Sequence, residues 1–190
     1  MARKVLQACL HLYYRFKIAL LTLLVGPEAI AYVLRDSLLP LLVLRIGGAK
    51  IGQNIRIGRR LTLHETKGTF RNLDIGNDAS IGSDVLIDLS DTVTLGDRCS
   101  IAMRVAIITH LNYPDSKLSA QYPRSTAPVE IKEDAVVDWG CVVLKGTTIN
   151  RKVLVLPRSV VTGMLSEASV YDGNPARPVL WRKDGTTHAV

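Results

Sequence analysis

Aliphatic residues recur every six positions from residue 51 onward, and this spacing constrains the fold more than any other feature of the chain. Six is neither the period of an α-helix nor the alternation of a strand, so the pattern predicts an array of short repeated units. A second small or apolar residue follows four positions after most members of the column, as at Ala79 and Val85. The column consists of Ile51, Ile57, Leu63, Ile75, Ile81, Ile87, Leu95, Ile101, Ile107, Ile131, Val137, Val143, Ile149, Val155 and Val161.

We interpret each unit as one short strand with a turn, and three units as one triangular coil whose strands pair in parallel with the next coil. Stacked coils bury a continuous aliphatic column, which suits a chain with only 5% aromatic residues, two Phe and two Trp. Glycine follows the aliphatic residue in several units, and we expect it to serve a tight turn with unusual dihedral angles. The sequence therefore predicts an all-β parallel β-helix of about five triangular coils.

Breaks in the repeat predict where the chain leaves this prism. The step after Ile107 is a multiple of six, so residues 112–128 are expected to form a loop while the phase of the repeat survives. The double step after Leu63 fits either a small loop or one poor unit. A two-residue slip after Ile87 predicts a modified corner at residues 88–91. Long ordered loops in such proteins usually carry function.

Residues 1–46 have a different pattern and carry six basic residues against two acidic ones, more than half of the net charge of +7. Apolar residues recur there at spacings of three and four, which predicts amphipathic α-helices. Gly26-Pro27 ends the first helix, and a second is expected from Glu28 to about Arg35.

The best uncharged apolar run of this segment, residues 18–27, is about half of what a membrane span requires. A suitable signal-peptide cleavage site is also missing after it. Two interpretations stay open. The helices lie in a membrane interface, with Lys and Arg among anionic head groups, or they pack on the domain or a neighbouring subunit. The first places the protein in the cytoplasm, peripheral on the cytoplasmic face of the inner membrane.

Composition also argues against several classes of protein. Three cysteines without a secretory signal do not indicate a disulfide scaffold. The positive charge favours anionic partners, but no aromatic platform accompanies the basic residues, so nucleic acid is not expected. Phosphate-loop, zinc-ribbon and Rossmann fingerprints do not occur.

Residues 46–180 contain, in this order, the segments AKIGQNIRIG, LDIGNDASIGSDVLI, IITH, APVEI, VVLKGTTI and YDGNPARPV. With these segments the chain resembles the left-handed β-helix, hexapeptide-repeat acyltransferases, and among them the sugar and polysaccharide O-acetyltransferases of the maltose and colanic-acid acetyltransferase type. The resemblance implies a left-handed helix, an exception to the usual right-handed crossover, in residues 47–180, with residues 181–190 as a tail. It also implies a homotrimer with active sites between subunits and acetyl-CoA as the donor.

His110 follows Ile-Ile-Thr, where the family has its catalytic histidine, and imidazole suits a general base at neutral pH. Asp88 belongs to the unit one coil below, so stacking should bring their corners together. The family often has Asn at that place, where it arranges the acceptor or the histidine; a solvated corner carboxylate is the alternative for Asp88. Asn112 and Asp115 are weaker candidates on the loop.

The donor side is assigned through the same resemblance. Gly140 matches a turn glycine near the thioester and is a candidate oxyanion donor through its backbone N–H. Trp139 flanks the CoA arm or the acceptor, or else covers a corner. Arg158 and Arg177 are cations for the phosphates of CoA, or structural caps. Residues 156–158 replace family glycines along the turns where CoA lies, and their bulk could narrow that groove.

Cys99 and Cys141 fall on the small inward position of the repeat and are interpreted as core residues. A zinc site of the carbonic-anhydrase type needs several coil histidines, and only His64 and His110 qualify, so no metal is expected.

The leading hypothesis is an acetyl-CoA-dependent O-acetyltransferase that modifies a sugar hydroxyl, on a lipid-linked or surface-polysaccharide precursor. Acetylation of a small diffusible acceptor, such as a free sugar or an antibiotic, is a second hypothesis. The third hypothesis is a non-catalytic trimeric scaffold, which is suggested by the replacement of the family's turn glycines at residues 156–158.

Overall fold

The computed structural model describes residues 40–181 and 187–189. The two helices expected within residues 1–39 lie outside the described residues. Helix α1 (Pro40–Ile46) precedes the strands, and a 3-10 helix (Lys117–Ala120) lies in the long loop. No helix of the described part of the chain is long and apolar enough to span a bilayer.

In chain order the strands are β1 (Lys50–Ile51), β2 (Arg56–Ile57), β3 (Thr62–His64), β4 (Leu73–Ile75), β5 (Ser80–Ile81), β6 (Leu86–Asp88), β7 (Val93–Leu95), β8 (Ser100–Ile101), β9 (Ala106–Ile107), β10 (His110–Leu111), β11 (Ser125–Thr126), β12 (Val129–Ile131), β13 (Val136–Val137), β14 (Val142–Val143), β15 (Thr148–Ile149), β16 (Leu154–Val155), β17 (Val160–Val161), β18 (Met164–Leu165), β19 (Val170–Gly173), β20 (Ala176–Trp181) and β21 (Thr187–Ala189).

Three parallel sheets form the faces of a prism. The first sheet has the order β1-β4-β7-β12-β15-β18, the second begins β2-β5-β8-β13-β16-β19, and the third is β3-β6-β9-β14-β17. Column residues pair with column residues one coil away, for example Ile51 with Ile75 and Ile107 with Val143. The predicted parallel β-helix is confirmed.

The β-helix has about six turns rather than five. The first and second sheets each contain six parallel strands and the third contains five, so five complete coils are followed by a partial sixth. Leu165 pairs with Ile149 and Tyr171 with Val155, which places both in this last coil. The sequence count ended at Val161 because the next inward residue, Leu165, follows after four positions instead of six.

The interior is filled as the repeat predicts. From Leu63 to Leu165 every column residue is at most 5% exposed, and the second inward position, including Ala79 and Val85, is also buried. Cys99 and Cys141 lie among them as core residues. Burial raises the pKa of the Cys99 thiol to about 12, which leaves it protonated and unreactive at neutral pH.

Glycine after the aliphatic residue has a different role from the one expected. A Cβ at Gly82 would lie 2.6 Å from the backbone nitrogen of Met103 in the next coil, so the residue permits close stacking of backbones. The left-handed dihedral angle falls two residues later and is adopted by residues with side chains, such as Asp84 (φ 61°) and Arg104 (φ 59°). Polar residues of this kind tolerate that conformation where the turn requires it.

Further elements adjoin both ends of the prism. Helix α1 buries Leu44 completely against the first coil, and the Arg45 guanidinium donates a hydrogen bond to the Gly52 carbonyl at 2.7 Å. At the other end β20 and β21 add antiparallel strands to the second sheet. Part of the predicted tail, Thr187–Ala189, is therefore strand β21. The Asn174–Pro175 peptide of the β19–β20 hairpin is cis.

Every irregular step of the repeat falls at one edge of the prism. We call the segments from the second to the third sheet the second corner (58–61, 82–85, 102–105, 138–141, 156–159) and those from the third to the first sheet the third corner (65–72, 89–92, 108–128, 144–147, 162–163). Segments of the second corner all have four residues, whereas those of the third vary from two to twenty-one. The third corner is therefore where the fold accepts insertions.

Candidate functional site

The third corner brings together the side chains that can do chemistry. His64 and Asp88 end strands β3 and β6 and are register partners in the third sheet. His110 is the first residue of β10. This strand pairs antiparallel with β11, with His110 opposite Thr126, and the pairing closes the base of the long loop. Three successive coils thus each contribute one titratable side chain to the same edge.

His110 and Asp88 form a direct hydrogen bond. The Nδ1 atom of His110 lies 2.6 Å from Oδ2 of Asp88, and the hydroxyl of Ser90 lies 3.2 Å from the same nitrogen. The His110 side chain is 20% exposed while that of Asp88 is 1% exposed, so the carboxylate lies behind the imidazole. This arrangement fixes the ring through Nδ1 and does not involve Nε2.

Other groups of the corner orient the carboxylate itself. The Thr109 backbone N–H donates to Oδ2 at 2.8 Å, and the Ser90 backbone N–H donates to Oδ1 at 3.1 Å. The hydroxyl groups of Thr109 and Ser90 lie 2.8 and 2.9 Å from the same two oxygens. Asp88 is thus held by Ser90 of its own coil and by Thr109 of the next coil.

The electrostatics of Asp88 follow from this environment. Burial alone would raise the pKa of Asp88, but the hydrogen bonds from His110, Thr109 and Ser90 favour the charged form and bring the pKa to about 2. Asp88 is therefore a buried, ionised hydrogen-bond acceptor. The alternative of a solvated corner carboxylate is wrong for this residue.

A second histidine lies beside this pair. The rings of His64 and His110 are stacked, with centroids 6.0 Å apart and planes inclined by 18°. The Nδ1 atom of His64 lies 3.9 Å from Oδ1 of Asp88, and the His64 side chain is 58% exposed. One buried carboxylate thus faces two imidazoles.

The long loop adds a cation to the rim. Arg124 places a guanidinium nitrogen 3.4 Å from the Ser90 hydroxyl and 3.7 Å from a Glu65 carboxylate oxygen. These contacts tie the loop to the two coils below it. Asn112 and Asp115, the weaker loop candidates, are exposed.

Residues assigned to the donor side lie elsewhere. Trp139, Gly140 and Arg158 belong to the second corner, across the third sheet from His110. Arg158 stacks on Trp139, its guanidinium carbon 4.7 Å from the ring centroid. Arg177 is exposed in β20, opposite Asp172 of β19.

The backbone N–H of Gly140 is already used, because it donates to the Met103 carbonyl at 3.0 Å between two coils. It is therefore not free to stabilise an oxyanion. Gly140 adopts the left-handed turn conformation with φ 70°, as Asp84 and Arg104 do at the equivalent places of their coils, so this conformation belongs to the repeat and does not indicate a ligand. Within one chain the structure thus joins His110 to Asp88 but not to the donor-side residues.

Sequence reasoning missed Ser90, Thr109 and Arg124, and it considered His64 only as a possible coil histidine of a zinc site, not as a neighbour of Asp88. His64 could have been found, because it follows Leu63 as Asp88 follows Ile87 and therefore occupies the equivalent place one coil earlier. Arg124 left no such signal, because its approach to Ser90 depends on the path of the loop.

Comparisons with known proteins agree with this fold. A protein of Mycobacterium tuberculosis named as a probable acetyltransferase is 30% identical over 136 residues, 68% of this chain and 43% of that protein. The chain thus spans less than half the length of this relative. No family model matches the chain.

Solved structures provide the fold comparison. A hexapeptide-repeat acetyltransferase of Vibrio cholerae, complexed with acetyl coenzyme A, has a TM-score of 0.67 at 19% identity and covers 79% of this chain and 81% of its own. A maltose O-acetyltransferase of Clostridium difficile has a TM-score of 0.65 at 22% identity, over 82% of this chain and 86% of its own. The resemblance found in the repeat is confirmed, and the chain has the β-helix fold of the hexapeptide-repeat acetyltransferases.

Proposed function

We propose that the chain transfers an acetyl group from acetyl-CoA to a hydroxyl of a sugar acceptor, with His110 as general base and Asp88 as its positioning residue. The observation that carries the proposal is the 2.6 Å contact between His110 Nδ1 and the buried Asp88 carboxylate. The names of the similar proteins, among them a maltose O-acetyltransferase, support the acetyl group and the sugar class.

The chemistry of the pair follows from its tautomer. An ionised Asp88 accepts the Nδ1–H of His110, so the neutral ring keeps its lone pair on Nε2. His110 Nε2 then takes the proton of the acceptor hydroxyl as its oxygen attacks the carbonyl carbon of the thioester. Asp88 stabilises the transient imidazolium, and His110 returns the proton to the departing CoA sulfur. The products are the acetyl ester and the free thiol of CoA.

Acetyl-CoA supplies the acetyl group as an activated thioester. The exposed cations Arg158 and Arg177 suit its phosphates, and the Trp139 ring beside Arg158 offers an apolar face. Because these residues lie away from His110 within one chain, we propose that a complete site forms between the third corner of one subunit and the second corner of another. A homotrimer provides three such sites by symmetry.

The test combines donor binding with turnover. We expect calorimetry to detect acetyl-CoA binding to the wild type and to His110→Ala, and thiol detection to report CoA release only with the wild type. Acceptors are presented as free sugars and as lipid-linked sugars, which separates the two acceptor hypotheses. His188→Ala, a histidine of β21, is the matched control. Absence of acetyl-CoA binding with the fold intact would overturn the proposal in favour of the scaffold.

We also propose that residues 1–39 hold the enzyme at the cytoplasmic face of the inner membrane. Their basic and apolar pattern supports this, and a lipid-linked acceptor would be met there. Wild-type protein should co-sediment with vesicles that contain anionic phospholipid, and Arg15→Glu with Lys17→Glu should weaken this binding. Equal sedimentation of wild type and double variant, or of neutral and anionic vesicles, would contradict it.

A further inference from the structure

His64, Asp88 and His110 each offer one ligand atom, and these atoms lie within 4.8 Å of one another. We propose that this cluster binds a divalent transition metal, of which Zn²⁺ is the type, and that the bound metal inhibits His110. The inhibition rests on the proposed function, whereas metal binding does not.

The donor set matches this class of ion. Two imidazole nitrogens and one carboxylate oxygen are ligands that Zn²⁺ accepts in three-residue sites with an open fourth position. This set differs from the carbonic-anhydrase type considered in the sequence, because its third ligand is the carboxylate of Asp88 instead of a further histidine. A search for histidines alone does not reveal it.

The distances require only small movements. Zn²⁺ lies about 2.0–2.2 Å from such ligands, so tetrahedral ligands stand roughly 3.3 Å apart. His110 Nδ1 lies 2.6 Å from Asp88 Oδ2, and His64 Nδ1 lies 3.9 Å from Asp88 Oδ1. One separation must widen and the other must close, and the exposed His64 side chain is free to rotate toward the carboxylate.

The surroundings favour a fixed ligand. The Thr109 and Ser90 backbone N–H groups hold the Asp88 carboxylate, the kind of outer contact that orients metal ligands. Arg124 is a cation beside the cluster, and Glu65 at 3.7 Å from it offsets its charge. A bound metal takes the place of the proton between Asp88 and His110.

That replacement has a chemical consequence for the base. A neutral imidazole that binds metal through Nδ1 carries its remaining proton on Nε2. His110 in this tautomer has no lone pair on Nε2 with which to accept the proton of the acceptor. Metal binding and general-base catalysis therefore exclude each other at His110, although neither disturbs the second corner.

Binding is tested on the full chain, freed of metal by a chelator, with Zn²⁺ in calorimetry and Co²⁺ in visible absorption. We expect one equivalent per chain and the visible bands of four-coordinate Co²⁺. His64→Ala should weaken Zn²⁺ binding at least tenfold, and His188→Ala should leave it unchanged. No binding, or equal weakening by the two substitutions, would overturn the site.

A second variant keeps the test independent of lost folding. His64→Cys offers a thiolate ligand in place of the imidazole, so Co²⁺ should acquire a sulfur-to-metal charge-transfer band in the near ultraviolet. The band shows that residue 64 is a ligand. Its absence, in a variant with wild-type circular dichroism that still binds Co²⁺, would remove His64 from the site.

The activity arm separates this inference from the proposed function. Zn²⁺ should lower the rate of CoA release reversibly. When the rate of each protein is expressed as a fraction of its own metal-free rate, the Zn²⁺ concentration that halves it should be at least tenfold higher for His64→Ala than for the wild type. Acetyl-CoA binding should be unaffected by Zn²⁺. If the metal-free protein binds Zn²⁺ but shows no turnover, the proposed enzymatic function is wrong while the proposed metal site is retained. If the protein turns over and Zn²⁺ does not inhibit it, the proposed inhibition is wrong.

Discussion

Asp88 is the residue whose charge and hydrogen bonds the proposed chemistry depends on. In Asp88→Asn the NH₂ takes the place either of Oδ2, where it faces the Thr109 backbone N–H and His110 Nδ1, or of Oδ1, where it faces the Ser90 backbone N–H. The first choice reverses the hydrogen bond to His110 and selects the wrong tautomer, and both choices remove the charge that stabilises the imidazolium. We expect kcat to fall about 10²- to 10⁴-fold with little change in KM for acetyl-CoA, measured by steady-state CoA release.

Asp74→Asn is the control for this substitution. Asp74 is another strand aspartate, half exposed on the first sheet and 3.6 Å from Lys50. It should retain wild-type kinetics, because a surface ion pair contributes little. Retention of more than a tenth of kcat by Asp88→Asn would show that His110 does not need the carboxylate.

The limit of prediction is visible in these residues. The stacking of Asp88 below the His110 unit follows from counting sixes, because a parallel β-helix fixes which positions meet. The hydrogen bonds that favour the charged form of Asp88 cannot be predicted from this count, since Ser90 and Thr109 lie where the repeat is broken. Arg124 approaches Ser90 through a folded loop that carries no periodic signal.

Among the elements, the corner glycines and the left-handed turns make different demands on the chain. At Gly82 a Cβ meets backbone of the next coil, whereas Gly163 has φ 75° and nothing within 4 Å of its Cβ position. We expect Gly82→Ala to cost about 2–3 kcal/mol of unfolding free energy, through forced separation of coils. Gly163→Ala should cost about 1 kcal/mol, from its dihedral angle alone. Urea denaturation at one protein concentration measures both, and equal losses would contradict the distinction.

Position along the stack decides what a column residue contributes. Ile107 is fully buried in the third sheet between β6 and β14, while Ile51 in the edge strand β1 is only partly buried. Ile107→Ala should therefore cost about 2–5 kcal/mol and Ile51→Ala markedly less, in the same urea experiment. Similar costs would mean that the first coil is as tightly packed as the centre.

The elements were predictable wherever the period held. Steps from the first to the second sheet and from the second to the third are always six, so the corresponding strands could be placed from the sequence. At the third corner the steps vary, and there the coil count failed, since Leu165 comes early. The antiparallel strand β21 was also missed, because it pairs outside the repeat.

At the scale of the whole molecule, the two candidate half-sites lie on different edges of one prism. His110 lies in the third corner and Asp88 ends strand β6 beside it, whereas Trp139 and Arg158 lie in the second corner, with the third sheet between them. A rigid β-helix cannot bring its own two edges together. Symmetric copies packed edge to edge can, which is the physical basis for the proposed intersubunit site.

Mixed assemblies test that arrangement directly. His110→Ala should be inactive because it lacks the base, and Trp139→Ala with Arg158→Glu should be inactive because it does not retain the donor. When the two proteins are unfolded together and refolded in equal amounts, random assortment gives about a quarter of the sites an intact His110 from one subunit and an intact second corner from another. CoA release should then recover to about that fraction of wild type. Mixing the two proteins without unfolding is the control, and it should restore no CoA release if subunits do not exchange. If CoA release does not recover after joint refolding, each site lies within a single chain.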